Sequence, residues 1–267
     1  MTSDAKAMQL HLIPGNDGCR FASRQKAAAV IVDALRASAT AAALLEHGSK
    51  KLMVTGTVED AFSLKAALPD ALLYGERGGL PPEGFDYGNS PQEAINGRSR
   101  HIIFTTTSGA GRLIAAWGAL PLLMGSTVNA ASVVQYLLAA AVPEVALVPA
   151  GLMDDPSFNA QEDWTAATYI AMMLCEACAG HRTVVWGRGH EEFLEYQERI
   201  RVEGVASLFA TAPHAEKLRA VAKEGDVQFC AQTNIYDAVP VACEKIGACL
   251  TVRNGYGQDG KTGVSDG

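Results

Sequence analysis

From residue 28 the chain alternates short apolar runs with longer stretches of helical periodicity. Ala28 to Val32 contains no polar position and predicts a buried strand; alanine-rich Ser38 to Glu46, closed by His47-Gly48, predicts a helix. Lys51 to Thr55 is a second strand, with Val58 to Ala67 as its helix and Pro69 as its stop. Leu72 to Tyr74 is a third, followed by a Gly/Pro-rich loop from Gly75 to Pro91. His101 to Thr105, Leu120 to Met124 and Val145 to Val148 are further strands, with helices over Gly111 to Trp117, Asn129 to Ala141 and Gln161 to Cys178. Strands without polar alternation, separated by helices, predict an α/β fold, a mainly parallel sheet with helices on both faces. The pattern then loosens: Thr183 to Trp186 and Asp226 to Cys230 are expected as strands, Glu191 to Arg201 and Pro213 to Lys223 as helices. No low-complexity linker intervenes. Residues 1–253 are therefore expected to form one α/β domain, with a C-terminal elaboration from about 181, and the glycine-rich stretch 254–267 a mobile tail.

Composition narrows the function. With 267 residues, 48% hydrophobic and 19% charged, the chain can bury a core without a disulfide or metal staple. Its net charge of −7 repels phosphate backbones, so nucleic acid is not an expected partner. A small anionic substrate would need gathered arginines or a bound cation. No apolar run approaches the ~20 residues that span a bilayer, so no membrane partner is expected. Met1 to Leu10 carries Asp4 and Lys6 and lacks the apolar core of a signal peptide. The six cysteines are scattered among apolar neighbours, as buried thiols in a reducing cytoplasm would be. Cys175 and Cys178 share one helix face, which favours core packing over a zinc site. The Asn129 to Ala141 helix has two uses open to it, packing on the sheet or on a second subunit. Burial in the fold is the expected one, and a homo-oligomer stays open.

Several motifs fail their structural context. Gly255 to Thr262 matches the phosphate-loop pattern G-x-x-x-x-G-K-[ST], but only five residues follow Thr262, too few for the helix the mechanism needs. No cysteine has an arginine six residues later, and no Arg-His-Gly segment occurs. Asp33 ends a strand as a haloacid-type nucleophile would, but position 35 is Leu where that chemistry needs Asp. There is no G-x-S-x-G elbow.

What survives lies at strand ends, where open parallel sheets bind ligands. The first strand runs into Asp33-Ala34-Leu35-Arg36, and the third into Gly75-Glu76-Arg77 and on to Asp86, Asn89, Ser90 and Pro91. The fourth runs into Thr105-Thr106-Thr107-Ser108-Gly109-Ala110-Gly111-Arg112, and the sixth through Ala150-Gly151 to Glu162-Asp163. Ser38, Thr40, Glu162 and Asp163 serve equally as helix caps and dipole partners. The threonine-serine run reads as strand end and cap or as an anion cradle, the two about level. Asp33 is harder to dismiss, because a carboxylate ending an apolar strand is costly to desolvate without a cation or donors. Together these groups suit a small phosphate monoester. Carboxylates supply hard oxygen ligands for Mg²⁺, and Arg36, Arg77 and Arg112 can fork onto oxyanions.

In this order, Asp33-Ala34-Leu35-Arg36-Ala37, Gly75-Glu76-Arg77, Gly84-Phe85-Asp86 with Gly88-Asn89-Ser90-Pro91, Thr105-Thr106-Thr107 and Glu162-Asp163 resemble the 2-phosphosulfolactate phosphatases, Mg²⁺-dependent enzymes of coenzyme M biosynthesis. The resemblance runs from about Ala28 to about Val241, with Asp226 and Val239-Pro240 as weaker echoes. It implies hydrolysis of (R)-2-phospho-3-sulfolactate to 3-sulfolactate and phosphate. It also implies Asp33, Glu162 and Asp163 as the metal region, and Arg36, Arg77, Asn89, Ser90, Thr106, Thr107 and Ser108 around the anion. Asp33, Glu76 and Asp86 are the catalytic candidates; Asp33 could ligate metal, orient water or act as nucleophile. The family usually reads Thr-Thr-Asn-Gly-Thr-Arg where this chain has Thr106-Thr107-Ser108-Gly109-Ala110-Gly111-Arg112. The arginine is displaced by one residue, about 100° around a helix, which makes Arg112 a weaker candidate than Arg36 or Arg77. The competing reading is a non-catalytic binding protein for a phosphorylated metabolite.

Overall fold

The computed structural model describes residues 7–155 and 157–256. In chain order the elements are β1 (Met8–Leu12), α1 (Gly15–Gln25), β2 (Ala28–Val32), α2 (Ala37–Glu46), β3 (Lys51–Val54), α3 (Val58–Ala67) and β4 (Leu72–Gly75). A 3-10 turn (Pro91–Gly97) leads to β5 (His101–Thr105), α4 (Gly109–Ala115), β6 (Leu122–Met124), α5 (Ala130–Ala139), β7 (Glu144–Pro149) and α6 (Gln161–Cys178). Then follow β8 (Val184–Trp186), α7 (His190–Glu203), α8 (Val205–Ala210), α9 (Pro213–Ala220), α10 (Glu224–Cys230), β9 (Pro240–Ile246) and β10 (Cys249–Asn254).

The strands form one sheet in the order β4-β5-β3-β10-β9-β6-β2-β7-β1-β8. Two blocks are internally parallel, β4-β5-β3 and β6-β2-β7-β1-β8. The hairpin β9-β10 joins them, antiparallel to both neighbours. Every residue of β2 is buried, as a central strand covered on both faces requires. Val30 and Val32 pack toward α5 and α6, while Ala29 and Ile31 pack toward α1, α2 and α4. Ala37 through Leu45 of α2 are all buried, and alanine is the residue that lets a helix be enclosed on every side. Helix α5 buries Val133, Tyr136 and Leu137 in the same core as α6, the expected use of that segment.

The sequence differs from the structure at both ends. Strand β1, helix α1 and the central hairpin go beyond the expected elements. β1 alternates apolar Met8, Leu10 and Leu12 with polar residues but is only five residues long. α1 buries a narrow face of Gly18, Cys19 and Ala22 in a mostly polar helix, and β9 is exposed from Cys243 to Ile246. The segment expected as a strand near Asp226 is instead α10, where Asp226, Val227 and Cys230 fall on one buried helical face. The stretch from Asn254 begins inside β10, and Tyr256 stays docked: its hydroxyl donates to the Ser132 carbonyl at 3.1 Å, and its ring meets Tyr136 edge-on. The rest of the phosphate-loop match, residues 257–262, lies outside the described residues. All six cysteines are free thiols; Cys19, Cys178 and Cys230 are buried as expected, whereas Cys243 is exposed, because it lies on the solvent-facing part of β9. No helix among the described residues is long and apolar enough to cross a membrane.

The hairpin changes how strand ends meet. Across it, the β4-β5-β3 block runs opposite to the β2 block, so on a flat sheet the ends of β2 and β5 would lie on opposite edges. Five strand steps separate these two, and a twist of ~20–25° per step accumulates to roughly 100–125°. That rotation offsets much of the inversion. Gly109, just past β5, accordingly lies against Asp33, just past β2: a Cβ added to Gly109 would come within 2.7 Å of Asp33 Oδ2.

Candidate active site

A cavity of about 490 Å³ opens where these ends converge, lined by Asp33, Arg36, Glu76, Asn89, Thr107 and Ser108 together with Leu152, Asp154, His214 and Lys217. Asp33 follows β2 directly and turns back on α2: its Oδ1 accepts the Ala37 N–H at 3.1 Å, while its own N–H donates to Ser38 Oγ at 3.0 Å. Its Oδ2 takes no hydrogen bond among the described residues. Burial, together with the Glu76 and Glu162 charges, pushes the Asp33 carboxyl above its ordinary value against the opposing pull of His214. Asp163 sits behind it at the start of α6. Its two oxygens accept the Ala34 N–H at 2.7 Å and the Gly151 N–H at 3.0 Å, tying the end of β2 to that of β7. Burial and the neighbouring Glu162 and Asp33 raise its carboxyl well above the usual range.

Glu162 is fully buried. Its Oε1 pairs with His214 Nδ1 at 3.0 Å, and its Oε2 has no partner. Burial alone would hold His214 neutral. The Glu162 hydrogen bond and the charges of Glu162, Asp33 and Glu76 outweigh that and raise its pKa above the ordinary value.

Glu76 works as scaffold. It accepts the Thr107 N–H at 2.7 Å, the Thr107 hydroxyl at 3.1 Å and the Gly79 N–H at 3.0 Å, fixing the loop after β5 against the loop after β4. Arg36, only 2% exposed, donates from Nη1 to Asp226 Oδ2 at 2.5 Å and from Nη2 to the Gly79 carbonyl at 2.8 Å. Asp226 Oδ1 also accepts Ser90 Oγ–H at 2.6 Å and Gln92 Nε2 at 3.1 Å. Ser90 thus bears on the cavity only through Asp226 and Arg36, and Asp226 proves a buried helical hub behind the site rather than a strand residue.

Other candidates lie apart from the cavity. Asp86 Oδ2 accepts the Leu73 N–H at 2.8 Å with Lys65 3.8 Å away, and so pins the edge strand β4. Arg77 donates to the Glu76 carbonyl at 2.6 Å and to Thr105 Oγ1 at 3.0 Å. Thr106 Oγ1 accepts the Ala110 N–H at 2.9 Å, a local turn contact. Arg112 holds the Ala150 and Leu152 carbonyls and Asn16 Oδ1, at 2.8, 2.9 and 2.5 Å. The one-residue displacement of that arginine leaves it clamping β7 to α1. Sequence reasoning missed His214 and Lys217. Both come from α9, and their i, i+3 spacing was the available signal, with nothing in sequence to say which face looked inward.

Among the described residues no three His, Cys, Asp or Glu side chains are grouped so as to hold a metal by themselves. The donor set nevertheless suits Mg²⁺, which takes one or two carboxylates and keeps waters and substrate oxygens for the rest. The unpartnered, buried Glu162 Oε2 and the free Asp33 Oδ2 are hard oxygen donors. Both Asp163 oxygens already accept backbone N–H groups, so Asp163 suits orienting the set better than joining it.

Known proteins place this arrangement. The sequence model of the 2-phosphosulpholactate phosphatase family matches residues 18–245. A probable 2-phosphosulfolactate phosphatase of Carboxydothermus hydrogenoformans is 35% identical over 213 residues, covering 80% of this chain and 85% of the relative. One of Thermus thermophilus is 34% identical over 224 residues, covering 83% and 90%. One of Deinococcus radiodurans is 44% identical over 126 residues, covering 46% and 52%. The chain that gathers Asp33, Arg36 and Glu76 around one cavity, with Glu162 held behind His214, belongs to the 2-phosphosulpholactate phosphatase family, and is a phosphoric monoester hydrolase.

Proposed function

We propose that the enzyme hydrolyses 2-phospho-3-sulfolactate, or a closely related small phosphorylated hydroxy acid, to 3-sulfolactate and phosphate with the help of Mg²⁺. One observation carries this reading. Of five buried side-chain polar atoms without a hydrogen-bond partner among the described residues, three (Asn89 Oδ1, Ser108 Oγ and Glu162 Oε2) belong to this one site. Buried polar atoms are normally satisfied, so such a concentration fits a site whose partners are a substrate and a cation.

In this reading Asp33 and Glu162 hold the Mg²⁺, which when bound would neutralise phosphate charge and position or acidify a water. Asp163 keeps the Asp33 turn and the Gly151 turn at fixed separation through its two N–H bonds. Ser108 offers its hydroxyl to a phosphate oxygen. The Arg36 N–H groups not engaged by Asp226 and Gly79 offer a planar fork to the same group. Glu76 keeps Thr107 and Ser108 at the wall. His214, held by Glu162, also borders the cavity. The six free thiols suit a reducing cytoplasm, where we place the enzyme.

The test is phosphate release from racemic 2-phosphosulfolactate with Mg²⁺ and then EDTA, beside phospholactate and phosphoglycolate. Metal-dependent release favouring the sulfonate supports the whole reading. Release from the other two alone keeps a phosphatase and discards the substrate. Equal release in EDTA discards the metal.

A further inference from the structure

Phosphosulfolactate carries three acidic groups, and only one of them is cleaved. An enzyme that prefers it must meet at least one remaining anion with a cation, and the cavity offers few. Arg77 and Arg112 are turned away onto carbonyls. Arg36 is neutralised by buried Asp226, and His214 by Glu162. Lys217 is different. It lines the cavity and makes no ion pair among the described residues; its Nζ instead lies 4.2 Å from the centre of the Phe158 ring. An aromatic face holds an ammonium weakly at an exposed position, so Lys217 can exchange that contact for an anion.

Its position fits the size of the substrate. Residues three apart on a helix are neighbours, with Cβ atoms ~5–6 Å apart. His214, which feels the charges of Asp33 and Glu162, therefore has Lys217 one step further along α9. A hydroxy acid whose ester-bearing carbon lies near Asp33 would extend its far acidic group along this wall. Asp154 borders the same cavity and the Lys217 charge reaches exposed Asp155, but neither carboxylate forms an ion pair with Lys217 among the described residues.

Resting on the phosphatase reading above, we propose that Lys217 recognises the acidic group of the substrate that is not hydrolysed, the sulfonate or the carboxylate, and so sets substrate preference. This makes it a binding residue, outside the bond-breaking step.

The experiment compares three phosphate esters of increasing charge: isopropyl phosphate, with no second acid; 2-phospholactate, with a carboxylate; and 2-phosphosulfolactate, with both. In Lys217→Met, which keeps the aliphatic stem, kcat/KM relative to isopropyl phosphate should fall about tenfold for the ester whose acid Lys217 meets, the scale of a charged hydrogen bond. The loss should appear mainly in KM. A fall confined to 2-phosphosulfolactate assigns the sulfonate, and an equal fall for both acids assigns the carboxylate. Lys217→Arg should retain most of the preference. Unchanged ratios, or an equal loss on all three esters, would overturn the proposal. Should the wild-type enzyme release phosphate from none of them, the phosphatase reading fails by itself. Calorimetric binding of 3-sulfolactate against lactate then still reads Lys217: the wild type should favour sulfolactate or bind both acids through the carboxylate, and Lys217→Met should lose that binding. Identical affinities for wild type and Lys217→Met would overturn it.

Discussion

Gly109→Ala tests whether the junction of the two sheet halves sets up the chemistry. The added methyl would sit 2.5 Å from Ala37 Cβ, 2.7 Å from Asp33 Oδ2 and 3.2 Å from Asp33 Cβ. Carbon atoms in good contact lie ~3.5–4.0 Å apart, so α4 and the start of α2 must part by about 1 Å or Asp33 must leave its rotamer. Ala37 Cβ is fixed to backbone and cannot swing aside. Overpacking of this kind costs about 1–3 kcal/mol, which for a chain near this size lowers Tm by roughly 2–10 °C. The effect on turnover should be larger, since a displacement of ~1 Å at a reacting group can cost about 100-fold. Gly111→Ala is the control on the same helix. Its methyl would meet only the flexible end of Met153, at 3.4 Å, and the gain in helix propensity of about 0.5–1 kcal/mol should leave it neutral to slightly stabilising. Thermal melts and phosphate release on both variants decide the matter. Wild-type turnover in Gly109→Ala would refute the placement of Asp33 at the reacting centre, and an equal penalty in Gly111→Ala would refute the steric argument.

The pH dependence of stability follows from three raised pKa values. Asp33, Asp163 and His214 all hold protons more tightly folded than unfolded, so the stability they contribute is lost as pH rises. The loss begins above about 4 for the carboxyls and above about 6.5 for the histidine. Tm in EDTA should therefore fall from pH 5 to pH 9, and Mg²⁺ should flatten the slope; a Tm that climbs with pH in EDTA would contradict this. Asp226→Ala leaves Arg36 buried without its anion and should cost about 3–5 kcal/mol in urea unfolding, with Asp226→Asn milder because Ser90 and Gln92 keep an acceptor. Glu162→Gln should weaken Mg²⁺ activation at least about tenfold, read by titrating phosphate release with Mg²⁺; an unshifted midpoint counts against Glu162 as a ligand. Removing residues 257–267 should leave phosphate release unchanged. Removal from Asn254 should lower Tm, because it takes the acceptor of the Val239 N–H and the Tyr256–Tyr136 contact with it.

The parts of this fold that were legible are those whose burial leaves a periodic trace. β2 and α2 read cleanly because both are enclosed, one as an apolar run and the other as an alanine run. The hairpin of β9 and β10 left no such trace. Glu244, Lys245 and Ile246 project into solvent, so the strand that joins the two halves of the sheet looks like a loop. Asp226 misled for a related reason. Asp-Val-Gln-Phe-Cys alternates polar and apolar residues as a strand does, yet its carboxylate is drawn inward by Arg36, Ser90 and Gln92, a tertiary demand that local pattern does not carry. The site was legible as a set of residues at strand ends, and that was enough to gather Asp33, Arg36, Glu76, Thr107, Ser108 and Glu162. Which of them point inward depended on tertiary partners: Asp86 answers to the Leu73 amide across its own loop, and Arg112 to the distant Ala150 and Leu152 carbonyls.

The charge balance of the cavity argues against a simple anion-binding protein. Such a protein would present donors and cations to its ligand, with carboxylates kept away. Here Asp33 and Glu76 line the wall, Glu162 and Asp163 stand close behind, and burial already makes ionised Asp33 and Asp163 unfavourable. Adding a phosphate dianion would worsen every one of these interactions. Binding alone gives no return for that cost, whereas a divalent cation, if bound here, would offset it. Asp33→Asn separates the two cases. It removes one charge without changing shape, so a binding protein should hold inorganic phosphate as well or better. A metal-assisted phosphatase should lose turnover, and phosphate should no longer bind more tightly when Mg²⁺ is added. Full turnover in Asp33→Asn would refute Asp33 as a metal ligand.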